Sequence, residues 1–158
     1  MDGALATDNE NHPDALLAKI RRANDLDRRG EIQAARVLYE DVLARAREHL
    51  GEDQLRNRAA TAALNLQGVL RRQGESAAAV ALYEDLLARL RRAVGADHVE
   101  SLIAEHNLAV VVWAGGDLPR ARELATTSLQ HRRRVLGDDH PYTASARRFL
   151  DETIARER

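Results

Sequence analysis

Residues 74–98 read GESAAAVALYEDLLARLRRAVGADH, and the chain writes nearly the same pattern before and after them. Gly30, Gly74 and Gly116 are each followed by alanine five residues on (Ala35, Ala79, Ala121) and by leucine eight on (Leu38, Leu82, Leu124). A second glycine stands 21 residues after each of them, at Gly51, Gly95 and Gly137. Self-similarity at a fixed period of this length marks a repeat architecture, in which each helical hairpin must stack on its neighbours to bury its apolar face. The expected fold class is therefore all-α, a solenoid of helical hairpins.

Working outward, the first helix is predicted over residues 14–29, where Leu16, Leu17, Ile20, Ala23 and Leu26 fall on one side at helical spacing. Gly30 closes it, and a second helix over 31–50 carries Ala35, Leu38, Tyr39, Val42, Leu43, Ala46 and Leu50. Further helices are predicted over about 54–73, 75–94, about 99–114, 118–136 and 141 to about 157. The interval from Gly51 to Gly74 is two residues longer than that from Gly95 to Gly116, which lengthens a turn or a first helical turn. Asp97 and Asp139 are placed to cap the helices after them, and Pro141 suits a first turn. Residues 1–8 lack apolar periodicity and read as a flexible tail, leaving one repeat domain over 9–158. Its units fall at about 12–51, 52–95 and 96–137, with a lone capping helix over 141–157.

Composition narrows the function classes. Of 158 residues, 31% are charged and they cancel to a net of −1, so no overall field favours nucleic acid or an acidic membrane. Aromatics at 3% are too few for a base-stacking surface. Cysteine is absent, which excludes disulfides, thiolate catalysis and cysteine-based zinc sites. The start, MDGALATDNENHP, has neither a basic n-region nor an apolar stretch, and the longest apolar run, 108–114, is too short to span a bilayer. The expectation is a cytoplasmic protein.

The hairpin resembles the tetratricopeptide repeat, which sets a small residue in its first helix, a glycine at the turn, then an alanine and a large aromatic in its second. Here those places hold Ala23 and Ala109, then Gly30, Gly74 and Gly116, then Ala35, Ala79 and Ala121, then Tyr39 and Tyr83. The period of 42 to 44, with Asn107-Leu108-Ala109 and the run from Leu136-Gly137 through Asp138-Asp139 to His140-Pro141, is similar to the kinesin-light-chain-like subfamily of bacterial type. Gln67 at the small position, Ala125 in place of tyrosine and Arg21-Arg22 in place of Asn-Leu are departures that imply local repacking. The resemblance implies a right-handed α-solenoid of three hairpins plus a C-terminal capping helix. It also implies a non-catalytic scaffold, regulatory or accessory, that binds a protein or peptide segment on the concave face lined by the first helix of each hairpin.

On that face the repeat register places Asn24, Asn65 and Asn107, whose amides can both donate to and accept from a peptide backbone. The competing reading is that they bond within the hairpin. Arg21, Arg28, Arg71, Arg72 and Arg148 can form a basic wall for an acidic or extended peptide, since guanidinium forks match carboxylates. They can equally be surface cations, because 23 of the 24 basic residues are arginine. Trp113 is either a peptide anchor or a wedge in the core. Tyr39 and Tyr83 are expected to be structural. A chaperone C-terminal carboxylate is not expected, because Ile20, Ile103 and Asn107 stand where the family's clamp needs basic residues.

Other constellations carry less. The run His131-Arg132-Arg133-Arg134 complements a helix C-terminus rather than marking a phosphate site. Asp138-Asp139-His140 reads as a turn and not a metal site, and no cofactor motif is present. A small-molecule or catalytic alternative centres on a pocket around His106, with His106 or Glu152 as acid or base. Self-association into a homodimer through the end faces is a further alternative.

Overall fold

The computed structural model describes residues 10–158, so the predicted tail over 1–8 lies outside the described residues. Among the described residues seven α-helices follow one another and there is no strand. They are α1 (Pro13–Arg28), α2 (Ile32–Ala46), α3 (Asp53–Arg72), α4 (Ser76–Ala93), α5 (Val99–Ala114), α6 (Leu118–Leu136) and α7 (Pro141–Glu157). The fold is an all-α helical repeat. It divides at the turn after α3 into two compact units, one ending at Gly74 and one running Glu75–Arg158.

Local chemistry explains where the helices stop. Gly74 has φ +73°, a conformation that costs a residue with a Cβ but not glycine, and Gly30 and Gly116 repeat it at +80° and +91°. Gly51 departs from its predicted counterparts, since only Gly95 and Gly137 of that set take positive φ. There α2 ends at Ala46 and a short 3-10 turn, Arg47–His49, finishes the segment predicted as one helix over 31–50. The two extra residues also have a location. Helix α3 has 20 residues against 16 in both α1 and α5, so it is a full turn longer, with the preceding loop shortened to match.

The caps differ from the expectation. His12, His98 and His140 are the N-cap residues of α1, α5 and α7, and the Nδ1 atom of each accepts the backbone N–H two residues on, at 3.3, 3.2 and 3.0 Å. Asp97 and Asp139 stand one residue too early to cap. Asp97 instead accepts from Arg134 at 2.7 Å and lies 2.9 Å from His131 Nε2. Pro13 and Pro141 occupy the first turns of α1 and α7, where a missing N–H costs nothing.

In the first unit α1 packs on α2, α2 on α3, and α1 on α3. Ala23 and Ala35 are fully buried, so small side chains let helices close in where Tyr39, Val42 and Leu16 fill the core. The second unit packs α4 on α5, α5 on α6 and α6 on α7, with Ala79, Tyr83, Leu90, Ala109 and Ala121 inside. Helix α5, flanked by α4 and α6, buries Leu102, Leu108, Val111 and Val112 along with the polar Ser101 and Glu105, the wide apolar surface expected of an inner helix. No described helix is long and apolar enough to cross a membrane.

Two arginines serve the fold. Arg56, 6% exposed, donates to the Leu50 carbonyl at 2.8 Å. Arg132, 2% exposed, donates to the carbonyls of Tyr142 at 2.6 Å and Leu102 at 3.2 Å, and so ties α5, α6 and α7 together. The remaining members of the 131–134 run are held by carboxylates. His131 Nδ1 sits 3.1 Å from Glu105, Arg133 bonds Asp138 at 2.8 Å, and Arg134 holds Asp97. Arg133 and Arg134 lie in the last turn of α6, where cations complement the helix dipole as expected, and carboxylates hold them there.

Candidate functional site

An open hollow of about 460 Å³ lies in the first unit, lined by Asn24, Asp27 and Arg28 of α1, Tyr39 of α2, and Leu64, Asn65, Gly68 and Arg72 of α3. Its polar wall is built from a three-helix relay. Tyr39, 1% exposed, donates its hydroxyl to Asn24 Oδ1 at 2.6 Å, and Asn65 Nδ2 donates to the same oxygen at 3.1 Å. Asn24 Oδ1 thus accepts from two donors, its full complement. These two bonds leave the Asn24 NH2 group, a donor, and the Asn65 amide oxygen, an acceptor, unused by the relay on two residues that line the hollow.

The rim is charged. Arg72 reaches from α3 to Asp27 on α1 at 2.6 Å, while Arg28 folds back onto Asp25 one turn earlier. Burial is the first cause that raises the Tyr39 hydroxyl pKa, Asp27 adds to it, and Arg72 opposes it. Leu64 is 56% exposed on the lip, an apolar group offered to solvent beside the amides.

The corresponding place in the second unit has different chemistry. Asp27 and Trp113 each stand three residues before a turn glycine, Gly30 and Gly116. An arginine reaches each from the next helix but one. Arg72 meets Asp27 as an ion pair, and the Arg156 guanidinium lies over the Trp113 ring, 4.3 Å from its centroid. Phe149 of α7 packs edge-on against both His106 (centroids 5.3 Å apart) and Trp113 (6.1 Å). Ala125, 1% exposed, stands where the other second helices carry tyrosine, and Phe149 brings aromatic bulk from α7 instead.

Of the predicted site residues, Asn24, Arg28, Asn65 and Arg72 come together in the hollow. Arg21 and Arg71 are exposed on the same two helices without lining it. In the second unit Asn107 approaches the Tyr83 hydroxyl at 3.5 Å, and burial raises that hydroxyl's pKa while the Asn107 bond lowers it. Arg148 is exposed on α7. His106 and Trp113 belong to the aromatic cluster, where His106 Nδ1 and Trp113 Nε1 are buried without a hydrogen-bond partner. Burial, helped by Arg132, pushes His106 down to about 4. A histidine wedged against Phe149 and kept neutral in this way is poorly suited to the acid or base role considered for it.

Asp27 and the hydroxyl of Tyr39 went unseen as site residues in the sequence. The tyrosine's core position hid its polar end, and nothing but the shared place of Asp27 and Trp113 before a turn glycine marked the aspartate.

Models of the tetratricopeptide repeat match residues 58–130 and 100–150, and another of the same description matches 18–55. Among solved structures the chain is similar to a Podosopora anserina protein, assigned as a kinesin light chain, with nearly identical TPR-like repeats (TM-score 0.67, 23% identity). It is also similar to BtubC (BKLC) from P. vanneervenii (TM-score 0.70, 22% identity). Both alignments cover 90% of this chain, which spans 66% of the first structure and 57% of the second. At these identities the likeness is one of fold. A search of curated proteins returned no match.

Proposed function

Because the chain belongs to the tetratricopeptide repeat family, we propose that it is a non-catalytic protein-interaction scaffold that holds an extended segment of a partner protein in the hollow between α1 and α3. One observation carries this reading. The Tyr39–Asn24–Asn65 relay ties two asparagines into the lining of an open hollow and leaves one amide donor and one amide acceptor of theirs unused, the two kinds of group that a peptide main chain can pair with. Arg28 and Arg72 on the rim can take a carboxylate side chain of that segment in exchange for their present partners Asp25 and Asp27. The scaffold is proposed to meet its partner in the cytoplasm.

The test follows from the relay. Asn24→Ala would strip the buried Tyr39 hydroxyl of its acceptor and confuse stability with binding. Asn65→Ala removes a hollow amide while Tyr39 keeps Asn24. Peptides selected on the wild-type protein from an array should bind Asn65→Ala about fivefold more weakly, the loss of one hydrogen bond worth about 1 kcal/mol, at an unchanged melting temperature. Unchanged affinity would move the site away from the hollow.

A further inference from the structure

Gly68 is an unexplained residue of the hollow. It sits inside the 20-residue helix α3, where glycine is the poorest helix former after proline. Nothing in the fold asks for it: it takes no positive φ, and apart from its own helix backbone no atom stands within 4 Å of the place a Cβ would occupy. The repeat does not ask for it either. Six residues before each turn glycine stand Asn24, Gly68 and Val110, and the other two carry side chains. The Arg72 Nε that donates to the Gly68 carbonyl at 3.3 Å lies one turn on in the same helix and would do so whatever side chain stood at 68.

What the missing side chain changes is the hollow. Gly68 lines it one turn after Leu64 and next to Asn65, so its bare backbone forms floor between the apolar lip and Arg72. Resting on the reading of that hollow as the binding site, we propose that Gly68 is a ligand-contact residue of it. It keeps α3 bare so that the main chain of an extended peptide can lie directly against the helix, within reach of the Asn24 and Asn65 amides. A helix position that gives up stability and in return only leaves space open is the trade expected where function competes with packing. A ligand that touched only the rim would gain nothing from glycine at 68.

The experiment uses the whole chain and an array of random-sequence dodecapeptides, acetylated and amidated so that no terminal charge takes part. Peptides enriched on the wild type are titrated by fluorescence anisotropy onto Gly68→Ala, Gly68→Leu and Asn65→Ala, and each variant is melted. Both Gly68 variants should melt at or above the wild type, since alanine and leucine are better helix formers. Affinity should fall with side-chain size, modestly for Gly68→Ala and by at least about tenfold for Gly68→Leu, where a filled space must be reopened. Wild-type affinity in Gly68→Leu beside a weakened Asn65→Ala would overturn this inference and leave the hollow reading standing. Wild-type affinity in all three variants would overturn both, as would an array with no peptide enriched above the bare surface. A Gly68→Leu protein that melts below the wild type would show the glycine to be a packing requirement and would also overturn the proposal.

Discussion

Ten residues before the turn glycines stand Ile20, Leu64 and His106, so a histidine occupies a position that its repeat equivalents fill with aliphatic side chains. Its environment treats it accordingly: burial and the nearby Arg132 hold it down to about 4, and its ring packs on Phe149. The unfolded chain accepts a proton on this residue below about 6.5, whereas the fold resists until about 4. The stability contributed by neutral His106 is therefore complete above pH 6.5 and declines as the pH falls through that window. The decline amounts to about 3 kcal/mol, and the group causes no further loss below its folded pKa. Urea unfolding from pH 7 to pH 4 should show this slope in the wild type and a flatter one in His106→Leu. Asp97, held down to about 2 by Arg134 and then His131, acts in a separate and lower window, losing its contribution as pH falls below the usual carboxylate range. An identical slope in the two proteins would contradict the placement of His106.

At the scale of the element, helix termini were the part of the fold most legible in the sequence, because a turn glycine is a local constraint. Gly30, Gly74 and Gly116 mark the ends of α1, α3 and α5 within a residue or two, and α5 and α6 begin and end where the sequence places them. The caps were less legible. Aspartate is the stronger N-cap in general, but the residue with the right backbone at α5 and α7 is histidine, with extended φ/ψ of −64°/141° and −68°/138°. His140→Ala should therefore cost about 1 kcal/mol in chemical denaturation, whereas Asp139→Ala should change little. The opposite ranking would restore the aspartate cap. The bond between Asn24 and Asn65 could not be read from the repeat. Asn24 lies six residues before its turn glycine and Asn65 nine before its own, so the two are not repeat equivalents. They meet only because α1 and α3 pack side by side, with a stagger that no single-helix periodicity reveals. For the same reason a tyrosine read as core turned out to finish a polar wall.

Across the whole molecule the net charge is −1, so no long-range field draws a partner in, and electrostatic preference has to be local. Arg28 on the hollow's rim, whose partner Asp25 lies outside the hollow's lining, would supply it. Binding of an acidic array peptide should weaken as sodium chloride is raised past the point where the Debye length falls below about 10 Å. Arg28→Ala should flatten that dependence without lowering the melting temperature, because its partner Asp25 is itself exposed. A salt dependence equal in variant and wild type would take Arg28 out of the site. The central claim is that a partner segment lies between α1 and α3, and the most direct measurement is amide chemical-shift mapping of the labelled protein titrated with an array-selected peptide. The account predicts that the largest changes, side-chain amides included, fall on Asn24, Leu64, Asn65, Gly68 and Arg72. Changes clustered instead on the second hollow of about 500 Å³, lined by Pro119, Arg122, Glu123, Thr126, Thr127 and Glu157, would contradict it.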